Sequence, residues 1–294
     1  MASMRDIKRR KVSIQSTQQI TKAMKLVSTV KLQRAKNRAE NSRAYFQSMY
    51  ETVTGIMRRS GHIDHPYMQP NGSDKKGVVV VTSNRGLAGG YNSNIVRLIT
   101  GTEWDKEDIS LYTIGKKGRD ILKRRGYNVV DDRSDVIEEP IYADAIELSE
   151  DLLRAYRDGE IGEIYIAYTN FKNTVSHVPT LLKLLPVDVE STAEEIEDIK
   201  SDEVSQKQAL MNYEPDDVDA LDMIIPKYVT SIIYGALIQA VASENGARMQ
   251  AMDSATSNAE EMIGSLELQY NRARQGHITQ ELTEIIGGAE ALNA

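Results

Sequence analysis

The chain has 294 residues, 40% hydrophobic and 27% charged, with a net charge of −7; that is enough for one large domain or two ordinary ones. It has no cysteine, which excludes a disulfide framework, a thiolate nucleophile, a Cys-containing zinc site and a thiol redox switch. Large aromatic anchors are scarce, with two Phe and one Trp against fourteen Tyr.

No signal peptide is expected, because Met1–Met4 runs directly into charged residues. No membrane span is expected either. The longest apolar stretches, around Val78–Val81 and Ile232–Ala242, are shorter than the ~20 residues a span requires.

Charge comes in blocks. Residues 1–43 carry twelve Lys/Arg against Asp6 and Glu40, whereas residues 188–222 carry thirteen acids against Lys200 and Lys207. The basic block reads as a solvated helix face, a nucleic-acid or anionic-lipid surface, or a site for an acidic protein partner. The acidic block reads as a linker too poor in apolar residues to order itself.

Residues 1–58 predict one long helix, free of proline and of glycine before Gly55. Ile7, Ile14, Thr17, Thr21, Met24, Ser28, Leu32, Ala35 and Ala39 step by threes, fours and sevens along one face. Ile20 and Val27 are expected to widen that stripe. About 50 residues at 1.5 Å make a rod of roughly 75 Å. Residues 59–76 read as a linker.

Residues 77–189 read as an α/β domain of Rossmann-like alternation. Strands are expected at 77–82, 109–114, 127–130, 164–168 and 178–185, with helices at 92–99, 116–125 and 143–157. The turn Ser83–Tyr91 joins a strand to a helix, as phosphate-binding turns do. It lacks the dinucleotide fingerprint and the Walker-A lysine, so a structural turn is expected. Gly115-Lys-Lys-Gly118 reads as a plain turn. The four histidines show no metal-ligand spacing, and no catalytic constellation stands out.

Residues 190–213 form the acidic linker, and 214–294 predict a second long helix. Its stripe runs Tyr234, Ile238, Val241, Asn245, Met249, Met252, Ala255, Ala259, Met262, Leu266, Tyr270 and Ala273. A further stripe follows at Ile278, Leu282, Ile285, Ala289 and Leu292. Neither rod can satisfy its stripe alone, so the two are expected to pair as an antiparallel coiled coil. The C-terminal tip should run past the start of the first helix. The fold class expected is thus α/β with a long antiparallel coiled coil made from both chain ends.

Several segments carry a specific resemblance: Ile7–Ser28, Lys31-Leu-Gln-Arg-Ala35, the Arg85-Gly-Leu-Ala-Gly-Gly90 turn, Glu244–Met252, Tyr270–Gln275 and Ile278–Ala289. Together, and in this order, they resemble the γ subunits of F-type ATP synthases. The last fits that family's I-T-x-E-x-x-E-x-x-x-G-A signature. Departures are Asn84, where Asp is common, and Ala88, where Cys is common; an inserted Cys pair for thiol regulation is also missing. The resemblance implies a rotor in the central stalk, standing in a hexamer of three α and three β subunits. Its foot would rest with the ε subunit on the membrane c-ring, at the cytoplasmic face of a bacterial cell membrane. Catalysis, with ATP, ADP, phosphate and Mg, would belong to other subunits, so no cofactor, nucleic acid or membrane insertion is expected of this chain. It further implies that Arg274, Gln275 and Thr279 meet a β-subunit catch loop and that Met24 and Lys25 lie near the β lever. Lys8, Arg9, Arg10 and Lys11 would form a basic collar facing acidic β loops, and Tyr213 and Glu214 would belong to the foot.

Overall fold

The computed structural model describes residues 4–60, 65–187 and 217–293. It divides into two compact units, Thr29–Arg248 and, separately, Met1–Ser28 with Met249–Ala294.

The first unit is built on a five-stranded sheet. Its strands are β1 (Lys76–Val81), β2 (Ile109–Ile114), β3 (Asn128–Asp132), β4 (Glu163–Phe171) and β5 (His177–Leu185), in the order β3-β2-β1-β4-β5. Val78 to Val81 are all fully buried. An unbroken apolar run is what a central strand covered on both faces requires. Accordingly β1 pairs in parallel with β2 (Val78 opposite Leu111) and with β4 (Val78 opposite Tyr165). β5 returns antiparallel to β4, from Phe171 opposite His177 to Ile164 opposite Leu185. The sheet is therefore mixed. The hairpin explains why β4 runs on to Phe171, beyond the expected end at 168: residues 169–171 have β5 to bond with.

Helices cover both faces. On one, α2 (Tyr91–Thr100) and α3 (Lys116–Arg124) bury Ile95, Val96, Ile99 and Leu122 against Val78, Val80 and Leu111. On the other, α4 (Tyr142–Arg157) lays Leu148, Leu152 and Tyr156 on Val79, Val81, Ile164 and Ile166. Asp144 closes the start of α4 by accepting the Ile141 N–H at 2.8 Å. A first-turn carboxylate there also suits the helix dipole. The same core takes Leu221, Ile225, Tyr228, Val229, Ile232, Ile233 and Leu237 from the last helix, α5 (Asp217–Asn293).

The last helix is more apolar than the short runs in the sequence suggested. α5 holds an 18-residue window apolar enough to cross a membrane by length and composition, with mean hydropathy 1.4. It is 61% buried inside the protein; its apolar character serves the core against the sheet.

α1 is one helix from Met4 to Ser60 and α5 one helix from Asp217 to Asn293. Both run through residues of both units. The acidic linker lies outside the described residues.

Candidate functional site

In the smaller unit, the less exposed positions of α1 are 4, 7, 11, 14, 18, 21, 24, 25 and 28. Apart from the adjacent pair 24 and 25, they alternate steps of three and four, the 3.5-residue period of a helix seam. On α5 the less exposed positions are 249, 251, 252, 255, 256, 259, 263, 266, 270 and 273, which without 251 and 255 alternate the same steps of three and four. Three contacts join the two helices. Lys11 Nζ lies 2.7 Å from Glu267 Oε1, the hydroxyls of Thr21 and Thr256 are 2.8 Å apart, and Lys25 Nζ lies 2.6 Å from Asp253 Oδ1. Numbers rise along one helix as they fall along the other, so the two are antiparallel over this span.

The seam corrects four expectations. Gln18 occupies the position given to Thr17, and Ile263 the one given to Met262, which is exposed. Ile20 and Val27 do not widen the stripe; they are 57% and 59% exposed. The physical reason is that several seam places belong to polar residues. Lys11, Gln18, Thr21 and Lys25 are among the less exposed positions, and Lys11, Thr21 and Lys25 meet polar groups on α5. A search for apolar side chains passes over them.

Beyond Ala273 the described side chains of α5, through residue 289, are all exposed. This fits the register, which sets Met4, the first described residue of α1, level with the region of Arg274. The second stripe is thus open: Ile278, Leu282 and Ile285 are 48%, 54% and 68% exposed. The side chain of Leu292 lies outside the described residues. Arg274, Gln275 and Thr279 are on this open end. The Thr279 hydroxyl donates to the Gln275 carbonyl at 2.9 Å, an internal helix contact.

The four collar residues are split by the fold. Lys8, Arg9 and Arg10 are exposed, with Arg9 3.6 Å from Asp6, while Lys11 turns to Glu267. Met24 is half-buried. Tyr213 and Glu214 lie outside the described residues.

In the larger unit the glycine-rich turn is held by its own side chains. The Ser83 N–H donates to Asn92 Oδ1 at 2.9 Å, and the Ser83 hydroxyl donates to the Arg85 carbonyl at 2.6 Å. Asn84 Nδ2 donates to the Ser134 carbonyl at 2.6 Å, and Asn84 Oδ1 accepts the Lys116 N–H at 3.0 Å. A carboxylate could not make the first of these bonds, so the amide at this departure from the family pattern has a local use. The turn presents Leu87 at φ 64°, 64% exposed.

Sequence reasoning missed a buried polar group beside this turn. Glu244 and Arg248, one helical turn apart on α5, pair at 2.7 Å, and Arg248 Nη2 reaches the Gly86 carbonyl at 3.4 Å. Burial pushes the Glu244 carboxyl above its usual value, and the Arg248 guanidinium opposes that shift. The i,i+4 spacing was the available signal. Lys31 and Arg85 both approach Glu138, at 3.8 and 3.7 Å.

The helix-flanked sheet and the long terminal helices have close parallels among known proteins. A family model described as ATP synthase matches residues 3–292. The ATP synthase gamma chain of Lachnoclostridium phytofermentans is 62% identical over 293 residues, covering 100% of both chains. The ATP synthase gamma chain, sodium ion specific, of Acetobacterium woodii is 41% identical over 299 residues, covering 99% of each. Among solved structures, a chain of the Euglena gracilis mitochondrial ATP synthase OSCP/F1/c-ring assembly aligns with TM-score 0.65 at 19% identity, over 98% of this chain and 94% of that one. A chain of the Tetrahymena thermophila central stalk and c-ring aligns with TM-score 0.56 at 24% identity, over 80% and 99%. Full-length identity to curated gamma chains and the family match place this chain in the ATP synthase gamma chain family.

Proposed function

We propose that this chain is the central rotor of an F-type ATP synthase. In this reading it couples ion-driven rotation of a membrane ring to ATP synthesis and hydrolysis at catalytic sites held by other subunits. The observation that carries the reading is the antiparallel contact of α1 with α5 at Lys11–Glu267, Thr21–Thr256 and Lys25–Asp253, followed by an α5 end whose described side chains are all exposed. Wound, paired helices supply torsional stiffness, and a bare helical end fits a bore. A rotor acts on its neighbours only through contacts that differ with angle, because only differential interaction shifts an equilibrium between states.

In this reading Arg274, Gln275 and Thr279 meet β at the bare end, and Lys8, Arg9 and Arg10 face acidic β loops. Met24 and Lys25 lie near the β lever, with Lys25 also tied to Asp253. Tyr213 and Glu214 belong to the foot, with ε and the c-ring. The complex sits at the cytoplasmic face of a bacterial membrane, and this chain itself binds neither nucleotide nor metal. The alternative of a basic nucleic-acid-binding coiled coil is disfavoured: Lys11, Lys25 and Lys31 each have a carboxylate of this chain within 4 Å, which leaves fewer cations for phosphates.

Reconstitution tests the reading. Membrane vesicles lacking their own γ subunit are supplied with this chain and its α, β and ε partners, and ATP-driven proton and sodium uptake are both followed. Restored pumping of either ion, dependent on the chain, is expected. Hydrolysis without pumping of either ion would reject the rotor assignment.

A further inference from the structure

In sheets of this parallel order, the strand sequence reverses direction between β1 and β4, and the crevice beyond their carboxyl ends is where such folds commonly hold a ligand. Here the chain's own helix lies across that crevice. The Tyr91 hydroxyl, at the start of α2 beyond β1, donates to the Ala240 carbonyl of α5 at 3.2 Å. The Ser243 hydroxyl donates to the Thr169 carbonyl near the end of β4 at 3.0 Å. One turn on, Gly246 lies against the hairpin: a Cβ added there would stand 2.7 Å from His177 Cε1 and 3.4 Å from the Phe171 ring. Ala240, Ser243 and Gly246 are spaced by three, so one face of α5 is nearly side-chain-free where it meets the strand ends. Tyr91, Ala240 and Ser243 are buried.

These contacts differ in kind from the apolar packing of Leu221 to Leu237 on the sheet face. Apolar packing is non-directional and resists separation more than sliding. A hydrogen bond has a fixed direction and weakens steeply with misalignment, and a ring seated against a glycine blocks motion along the helix.

We infer that Tyr91, Ser243 and Gly246 form a latch locking α5 to the sheet's carboxyl edge against sliding, so that rotation applied to the α/β domain passes into the helix without slip. The latch rests on the rotor reading above and deepens it. Tyr91, Ser243 and Gly246 are positioning residues, touching no substrate; their work appears only under load. Unloaded hydrolysis needs the helix merely to turn, whereas pumping against an ion gradient puts torque across the latch.

The test uses the holoenzyme in inverted vesicles carrying the intact chain, a Tyr91→Phe/Ser243→Ala chain or a Gly246→Ala chain. The first variant removes two hydroxyls and adds no bulk; the second drives a methyl into His177. Both are expected to keep uncoupled hydrolysis, while pumping per ATP hydrolysed falls by about five-fold or more, the scale of one lost hydrogen bond. Adding His177→Ala to Gly246→Ala makes room for the methyl and is expected to restore part of the ratio. Equal loss of hydrolysis and pumping would show that the contacts only support the fold, and an unchanged ratio in both variants would equally overturn the latch. If vesicles with the intact chain hydrolyse ATP without pumping, the rotor reading itself has failed, and the latch with it.

Discussion

Lys25 on α1 and Asp253 on α5 meet at 2.6 Å, with their side chains 39% and 56% exposed. This pair ties together two residues 228 positions apart in the chain, and it gives Lys25 a partner inside the protein. Exposed ion pairs of this sort contribute about 0–1 kcal/mol. Lys25→Ala and Asp253→Ala should therefore each lower thermal stability by less than about 1 kcal/mol, read by circular dichroism melts. If the pair is all that Lys25 does, both variants should also reduce coupled pumping alike, and the exchanged pair Lys25→Asp/Asp253→Lys should restore it. A Lys25 that also meets the β subunit gives another pattern: Lys25→Ala impairs pumping more than Asp253→Ala, and the exchange fails to restore it.

Gly115 and Gly126 both have positive φ, 111° and 85°, yet they should respond differently to a methyl group. At Gly115 a Cβ would stand 2.0 Å from the Thr82 carbonyl oxygen, while at Gly126 nothing lies within 4 Å. The Gly115 approach lets Thr82, at the end of β1, donate to the Gly115 carbonyl at 3.0 Å and accept the Gly118 N–H at 2.9 Å. Gly115→Ala adds a backbone clash to the conformational strain and should cost roughly 3 kcal/mol or more. Gly126→Ala carries the strain alone, about 1 kcal/mol. Urea unfolding midpoints of the two variants should rank in that order by a clear margin.

The expected turn at Gly115–Gly118 thus proves to be a close-packed junction, and this illustrates what the sequence could disclose. Val78–Val81 announced a buried central strand because nothing but apolar β-branched residues stands there. What stayed hidden depends on partners far away in the chain. Tyr91 contacts Ala240 and Ser243 contacts Thr169, and no local periodicity reports either bond. Lys11 and Lys25 read as outward cations although their positions belong to the seam. The prominence of Arg274 came only from family resemblance, since an exposed arginine on a helix has no distinguishing pattern of its own.

His177 should give the α/β unit a pH-dependent component of stability. Its ring nitrogens are buried without hydrogen-bond partners among the described side chains. Burial holds the imidazole below its usual 6.5, with a smaller opposing effect from the Thr174 backbone. The unfolded chain takes up a proton near pH 6.5 while the folded chain resists it. Between the two pKa values the unfolded state binds more protons, so stability falls as the solution is acidified. Melting temperatures should drop between about pH 7.5 and pH 5.5, and His177→Phe, which keeps a ring against Phe171 and Gly246, should flatten the His-dependent part of that slope. An identical slope in wild type and variant would mean that His177 does not titrate differently on folding.

Arg274 offers the sharpest separation between stability and function. It lies on the open end of α5, exposed, with no ion pair among the described residues. Removing an exposed side chain that makes no such contact should change stability by no more than about 0.5 kcal/mol. If Arg274 instead makes a charge-assisted bond to a β subunit at one angle of rotation, its loss withdraws roughly 1.5–3 kcal/mol from that state alone. Arg274→Ala should then melt like the wild type while coupled ATP synthesis falls by about tenfold or more. Arg274→Lys should recover part of the rate, because it keeps the charge but not the planar fork of donors. A variant that melts normally and also synthesises ATP normally would remove Arg274 from the working surface. One that loses both together would place its role in the fold of α5, which the exposure of every described side chain from 274 to 289 argues against.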